Sequence, residues 1–200
     1  MPLIRNVAIL IFKDVEVLDF CGPFEVFSVV NRFAAPAAMH VFTVAESKQP
    51  VFARGGLSVN PEYVIGHCPE PDILVIPGGE GTRTEMNNRA IVDWIKESDA
   101  DAERVLSVCT GALLLAKAGL LDGLEATTHR GAMELLREVA PRTTVHATRR
   151  FVDNGRVICS AGIAAGIDMS LHVVENLLGG KLASQVAGHM EYPWAQGKEP

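Results

Sequence analysis

The sequence lacks any apolar run long enough to cross a membrane. No stretch approaches the roughly 18 to 20 consecutive apolar residues that a spanning helix needs. Residues 1–5 lead directly into a strand-like segment without the charged start and apolar centre of a signal peptide. We therefore expect a cytoplasmic protein that has no membrane partner.

Positive charge is also scarce, since 18 Lys and Arg residues face 24 Asp and Glu residues and the formal net charge is −6. A protein that binds the phosphate backbone needs a basic face, so we expect no nucleic-acid partner. The chain is nevertheless 48% hydrophobic and only 21% charged, which is not the composition of a disordered protein. Its 200 residues predict a single domain over 1–200.

Cysteines are few and widely spaced: Cys21, Cys68, Cys109 and Cys159 form no C-x-x-C pair and no zinc-like spacing with histidine. This argues against a disulfide framework and against a metal site. The phosphate-binding pattern G-x-x-x-x-G-K-[ST] and the dinucleotide pattern G-x-G-x-x-G are both absent. We expect no metal and no cofactor, and a small molecule as the partner.

Apolar runs of strand length alternate with helical segments along the chain. We predict strands over 6–12, 40–45, 73–77 and 105–108, a hairpin over 51–59 that extends the sheet, a second hairpin over 151–160, and helices over 22–32, 89–98, 111–118 and 164–178. Most strands show no polar alternation, which is typical of strands buried on both faces. The pattern predicts an α/β fold, a doubly wound and mostly parallel sheet with helices on both faces. Ligands bind such sheets beyond the carboxyl ends of the strands.

Cys109 stands where one of these strands passes into the helix over 111–118. A sharp turn at this position would form a nucleophile elbow with an exposed side chain. The N-terminus of the helix would then favour thiolate over thiol. The alternative is a buried cysteine that ends a core strand.

The Gly78-Gly79 turn follows the strand over 73–77. Its N–H groups and that of Thr110 are candidates for an oxyanion hole that also binds substrate. The alternative is a tight turn at the end of a strand.

Asp19 lies in the acidic segment 14–20, after the first strand. Near a thiolate its carboxyl should keep a proton and serve as a general acid, unless it is a solvated or helix-capping residue. His129 is the best histidine candidate for the site, with a structural hydrogen bond as its alternative role.

Five motifs in order resemble the DJ-1/PfpI superfamily over nearly the whole chain. They are Asp19-x-x-Gly22-Pro23-x-Glu25, Pro77-Gly78-Gly79, the Cys109 elbow, Ala126-Thr127-Thr128-His129, and Ser160-Ala161-Gly162-x-x-x-Gly166-Ile167-Asp168. Residues 18–23 together with 108–111 are most similar to the isonitrile hydratase branch and to the amidotransferase-like sensor domains of some AraC-type regulators.

The resemblance implies a flavodoxin-like fold and a homodimer, with Cys109 as nucleophile, Asp19 as acid and Thr110 as a neighbouring catalytic hydroxyl. It implies hydration of a small isonitrile to an N-substituted formamide through a cysteine thioimidate, without a cofactor. Two residues depart from relatives: Thr110 replaces the histidine of the peptidase-like branch, and Arg130 stands where we expect an aromatic residue. Three alternatives remain open, namely glyoxalase chemistry on methylglyoxal, small-ligand sensing and thiol redox sensing.

Overall fold

The computed structural model describes residues 4–194, which form eleven strands and seven α-helices. The strands are β1 (Arg5–Leu10), β2 (Met39–Ala45), β3 (Val51–Phe52), β4 (Ser58–Val59), β5 (Tyr63–Val64), β6 (Ile73–Ile76), β7 (Arg104–Val108), β8 (Glu125–Ala126), β9 (Thr144–Val145), β10 (Phe151–Asp153) and β11 (Val157–Ser160). The helices are α1 (Val17–Phe33), α2 (Thr82–Glu85), α3 (Arg89–Asp99), α4 (Gly111–Lys117), α5 (Met133–Val139), α6 (Ala165–Leu178) and α7 (Gly180–His189). Single 3-10 turns occur at Arg54–Gly56 and Arg130–Ala132.

Seven strands form the central sheet in the order β10-β11-β7-β6-β1-β2-β5. All neighbouring pairs are parallel except β10 and β11, which form the predicted antiparallel hairpin. The helices fall into two packed groups, one of α1, α6 and α7 and the other of α2 to α5. These findings confirm the predicted doubly wound, mostly parallel α/β sheet.

The core follows from the apolar strands at the centre of the sheet. Residues 7–10 of β1 and all four residues of β6 are buried. An alternating pattern would have left one face of these strands polar, so helices must cover both faces. Burial of apolar side chains at about 25 cal/mol per Å² is the main stabilising contribution of such a core.

The first helix begins earlier than expected. The sequence predicted a helix opened by Gly22-Pro23, whereas α1 begins at Val17 and contains Pro23 within it. Proline removes one helical hydrogen bond, but Gly22 lets α1 approach α6 so closely that a Cβ there would lie 3.0 Å from Ile167 Cγ1. This packing keeps the helix continuous, and Asp19 therefore lies in its first turn and not in a loop.

The hairpin over 51–59 does not extend the central sheet, so that part of the prediction is wrong. Its strands β3 and β4 pair in a separate two-stranded sheet, and β5 forms the edge beside β2. The hairpin bonds to the segment before α1 instead: Asp14 N–H donates to Phe52 O at 2.8 Å, and Arg54 N–H donates to Val15 O at 2.9 Å.

One hydrophobic core connects the elements between residues 4 and 194. The predicted single domain over 1–200 stays a prediction, since residues 1–3 and 195–200 lie outside the described residues. Within the described part of the chain, no helix combines the length and apolar character that a membrane crossing requires.

Candidate active site

Cys109 occupies the sharp turn between β7 and α4, with a left-handed φ of 57°. Such a conformation is unfavourable for a residue with a Cβ and must be held by its surroundings. The N–H of Cys109 donates to Ser160 O at 3.1 Å, and the hydroxyl of Thr128 donates to Cys109 O at 2.7 Å. The backbone therefore has the turn that a nucleophile elbow requires.

Asp19 projects from the first turn of α1 into the protein and is fully buried. Its Oδ2 accepts the N–H of Gly78 at 3.1 Å, whereas its Oδ1 has no hydrogen-bond partner among the described residues. Burial raises the pKa of the carboxyl from 3.8 to about 7, and the hydrogen bond from Gly78 together with the nearby Cys109 thiol opposes part of that rise. Asp19 can therefore hold or release a proton near neutral pH.

The thiol of Cys109 also lies near this carboxyl, but the two groups form no hydrogen bond of ordinary geometry. Cys109 is only 6% exposed. Burial, followed by the charge of Asp19, raises the thiol pKa to about 12, and the N–H of Thr110 opposes this only in part. The expected stabilisation of thiolate by the N-terminus of α4 is therefore outweighed, and the sulfur keeps its proton in this state.

The Gly78-Gly79 turn lies against the side chains of Asp19 and Thr110, and both of its N–H groups already donate hydrogen bonds. Gly78 N–H donates to Asp19, and Gly79 N–H donates to Thr110 Oγ1 at 2.9 Å. A Cβ at Gly78 would lie 2.5 Å from Thr110 N, so only glycine fits. The turn therefore positions the Asp19 carboxyl and the Thr110 hydroxyl. Its N–H groups could form the expected oxyanion hole only if one of these two hydrogen bonds broke.

Thr110 and Thr82 form a buried hydroxyl pair behind this turn. Thr82 Oγ1 lies 2.7 Å from Gly79 O and 3.1 Å from Thr110 Oγ1, which itself lies 3.1 Å from Gly79 O. The Thr110 hydroxyl is therefore tied to the turn, while its backbone N–H faces the sulfur. Sequence analysis missed Thr82, whose only signal was its position three residues after Gly79.

His129 is brought to the site but does not pair with the thiol. Its Nδ1 accepts the N–H of Gly131 at 3.2 Å, which leaves the ring proton of the neutral tautomer on Nε2. A Cβ at Gly162 would lie 2.7 Å from His129 Cδ2 and 2.9 Å from Cys109 Sγ, so the two side chains flank this glycine. His129 is thus arranged to donate a hydrogen bond from Nε2 and not to deprotonate Cys109.

A cavity of about 390 Å³ lies next to the turn that carries Cys109, although Cys109 is not itself among its lining residues. Its lining consists of Thr128, His129, Arg130 and Met133, of Ala147, and of the turn over 161–164. Thr128 and Gly162 connect it to the elbow through their contacts with Cys109. No group of three or more metal-ligating side chains occurs between residues 4 and 194.

Comparison with known proteins gives consistent matches. The DJ-1/PfpI family model matches residues 5–176. The isonitrile hydratase of Pseudomonas putida is 34% identical over 187 residues, which are 94% of this chain and 78% of that protein. A THiJ/PfpI family protein from Pseudomonas syringae has a crystal structure that is similar with a TM-score of 0.86 at 28% identity, covering 100% of this chain and 82% of that one.

A transcriptional regulator is also among the relatives. The HTH-type transcriptional regulator CdhR of Pseudomonas aeruginosa is 33% identical over 180 residues, covering 89% of this chain and 52% of the regulator. The chain thus spans about half the length of this relative.

Proposed function

Because the chain belongs to the DJ-1/PfpI family, we propose that it is a cysteine-dependent hydratase, a lyase that converts isonitriles to N-substituted formamides. The observation that carries this proposal is the buried pair of Asp19 and Cys109, in which the carboxyl has a pKa of about 7. A group that titrates near neutral pH can both accept and return a proton during one turnover. Similarity to an isonitrile hydratase supports the choice of substrate.

In the first step the sulfur of Cys109 attacks the terminal carbon of R–N≡C. The S–H bond breaks and its proton passes to the Asp19 carboxylate, which delivers it to the same carbon. A C–S bond and a C–H bond form, and the product is the thioimidate R–N=CH–S–Cys109. Asp19 has the right protonation equilibrium for this relay because burial brings its pKa close to neutral.

In the second step water adds to the thioimidate carbon. One water proton goes to nitrogen, the C–S bond breaks, and the other proton returns to sulfur through Asp19. The product is R–NH–CHO, and the free thiol is restored. The engaged hydroxyl of Thr110 keeps the turn in place, while Nε2–H of His129 is a donor available to the substrate or the water.

The proposal is tested by following formamide formation from cyclohexyl isocyanide. We expect turnover by the wild-type protein and by Cys68→Ala, a matched control at a half-buried cysteine outside the site. Cys109→Ala should form no product. Product formation by Cys109→Ala, or none by wild type, would contradict the hydratase.

A second candidate is a small-ligand sensor, which similarity to the regulator CdhR favours. A sensor would bind an electrophile or other small molecule at Cys109 without releasing product. A stable mass increase on Cys109 after incubation with the isonitrile, with no formamide released, would favour this candidate over the hydratase.

We also propose that the protein works as a homodimer and in the cytoplasm. The chemistry requires a reduced Cys109, and the cytoplasm is a compartment that keeps thiols reduced. All four cysteines are free in the structure.

A further inference from the structure

The cavity that Thr128 and Gly162 connect to the Cys109 turn differs in charge from the protein as a whole. The chain carries a net charge of −6, yet no Asp or Glu is among the residues that line this cavity. Its ionisable lining residues are His129 and Arg130. The site therefore presents a cationic group to whatever part of the substrate extends away from the sulfur.

Arg130 is available for a ligand, whereas Arg149 and Arg150, which follow the lining residue Ala147 in the sequence, are not. Arg149 pairs with Glu125 at 3.2 Å, and Arg150 pairs with Asp168. Arg130 forms no ion pair with any described residue, and it is exposed at the cavity. An unpaired guanidinium at a small-molecule cavity is suited to bind a carboxylate through two parallel hydrogen bonds.

The remaining walls limit what else the substrate contains. Met133, Ile163 and Ala147 contribute apolar surface, and about 390 Å³ falls within the usual range of roughly 300 to 1,000 Å³ for small-molecule sites. The cavity thus suits a short hydrocarbon substituent that ends in an anion. The one guanidinium of the cavity balances one negative charge, which favours a carboxylate over a doubly charged phosphate.

We propose that Arg130 is a specificity-determining residue and that the preferred substrate is an isonitrile whose substituent carries a carboxylate. This inference rests on the proposed hydratase function. Addition of water to an isocyano acid, ⁻OOC–CHR–N≡C, gives the N-formyl amino acid ⁻OOC–CHR–NH–CHO, and the carboxylate takes no part in the bond changes. The reaction class that supplies such a substrate must form an isonitrile on an amino acid nitrogen.

The test compares isocyanoacetate with its methyl ester, which has the same skeleton without the charge. We expect the wild-type protein to have the higher kcat/KM for the acid. Arg130→Met should lower the acid-to-ester ratio of kcat/KM by about 10- to 100-fold, the effect of losing a charge-assisted hydrogen bond. Arg130→Lys should restore part of the ratio, and Arg137→Met, an exposed arginine on α5 that is not among the cavity-lining residues, should leave the ratio unchanged.

A second measurement keeps the two proposals apart. The product analogue N-formylvaline is titrated calorimetrically into wild type and into Arg130→Met. An unchanged acid-to-ester ratio in Arg130→Met overturns the carboxylate site while the hydratase stands. If the wild-type protein hydrates no isonitrile, including cyclohexyl isocyanide, the hydratase proposal fails. In that case, binding of N-formylvaline that is at least tenfold weaker in Arg130→Met than in wild type supports the carboxylate site. Equal binding by the two proteins, or no binding by wild type, overturns the carboxylate site.

Discussion

Asp19 is a helix residue whose carboxyl is held out of water, and its charge raises the pKa of the thiol beside it. Because burial and this charge both favour the protonated sulfur, little thiolate is present in the resting protein at neutral pH. Peroxide reacts with thiolate, so the raised thiol pKa slows oxidation of Cys109 in the resting protein. The same environment suits a reaction in which the proton leaves sulfur only as the C–S bond forms.

The first prediction concerns Asp19→Asn, which removes the charge with little change in shape. Hydratase turnover should fall by about 10² or more, since general acid–base groups contribute roughly 10²- to 10⁴-fold. Alkylation of Cys109 by iodoacetamide at neutral pH should become faster, because the thiol pKa falls when the neighbouring charge is removed. Mass spectrometry of the alkylated peptide measures the rate. Slower alkylation together with slower turnover would indicate a distorted site instead.

The second prediction concerns pH and stability. Asp19 has a pKa of about 7 in the folded protein against an ordinary value of 3.8, so between these pH values the folded state binds more protons than the unfolded state. Stability should therefore fall as pH rises from about 4 to about 7. Each pKa unit corresponds to about 1.4 kcal/mol. In urea unfolding over this range, the free energy of unfolding should fall more with rising pH in the wild-type protein than in Asp19→Asn. The same pH dependence in the two proteins would refute this prediction.

The correctly predicted elements include strands with continuous apolar runs, the hairpin of β10 and β11 and the amphipathic helix α3. The segments that became β1, β6 and β7 required cover on both faces, and that requirement already specified a parallel sheet. The start of α1 was missed because proline is common in the first turn of a helix, so Gly22-Pro23 was taken as the beginning of the helix. In the structure Pro23 lies inside α1, which packs against α6. The short strands β3 and β4 could not be placed, since their hydrogen bonds go to residues 14 and 15.

The candidate site was predictable to the extent that topology determines it. Loops after parallel strands meet at one edge of the sheet, which brings Asp19, Gly78 and Cys109 together. The hydrogen bonds from the Gly78 and Gly79 N–H groups to Asp19 and Thr110 were not predictable, because they depend on side-chain positions in separate elements. Thr82 was missed for the same reason: its contacts are with backbone and hydroxyl groups that no sequence pattern specifies.

The third prediction tests the hydroxyl pair behind the turn. Thr82→Val keeps the shape but removes the donor to Gly79 O, so the free energy of unfolding should fall by about 1 to 3 kcal/mol. Thr82→Ser retains the hydroxyl and is the matched control. Urea denaturation measures both. Equal losses in the two variants would attribute the effect to packing of the methyl group and not to the hydrogen bond.

The fourth prediction concerns the turn between β11 and α6. Gly162→Ala would place a Cβ within 3 Å of both Cys109 Sγ and His129 Cδ2. One of these side chains must move, so we expect a loss of about 1 to 3 kcal/mol in stability and at least a tenfold loss in turnover. Gly188→Ala is the control, since a Cβ there meets nothing within 4 Å. Full activity in Gly162→Ala would mean that the described positions of Cys109 and His129 are not those used in turnover.

At the scale of the whole molecule, apolar side chains remain exposed on the hairpin of β3 and β4. Phe52 is 58% exposed and Leu57 is 46% exposed. The hairpin is bonded to the segment that leads into α1, so any surface that covers it also adjoins the element that carries Asp19. We expect the interface of the proposed homodimer to bury this apolar surface, which would link the dimer to the positioning of the site.

The fifth prediction follows from that arrangement. Light scattering should give a mass of twice 21.5 kDa for the wild-type protein. Phe52→Glu introduces a charge on the exposed face and should shift the population toward monomer, whereas Arg137→Glu on α5 should not, because that helix belongs to the other packed group. A wild-type mass of 21.5 kDa at micromolar concentration would refute the homodimer. A stable dimer in Phe52→Glu would instead place the interface on another surface. We would then expect Phe52→Glu and the wild-type protein to have the same turnover rate.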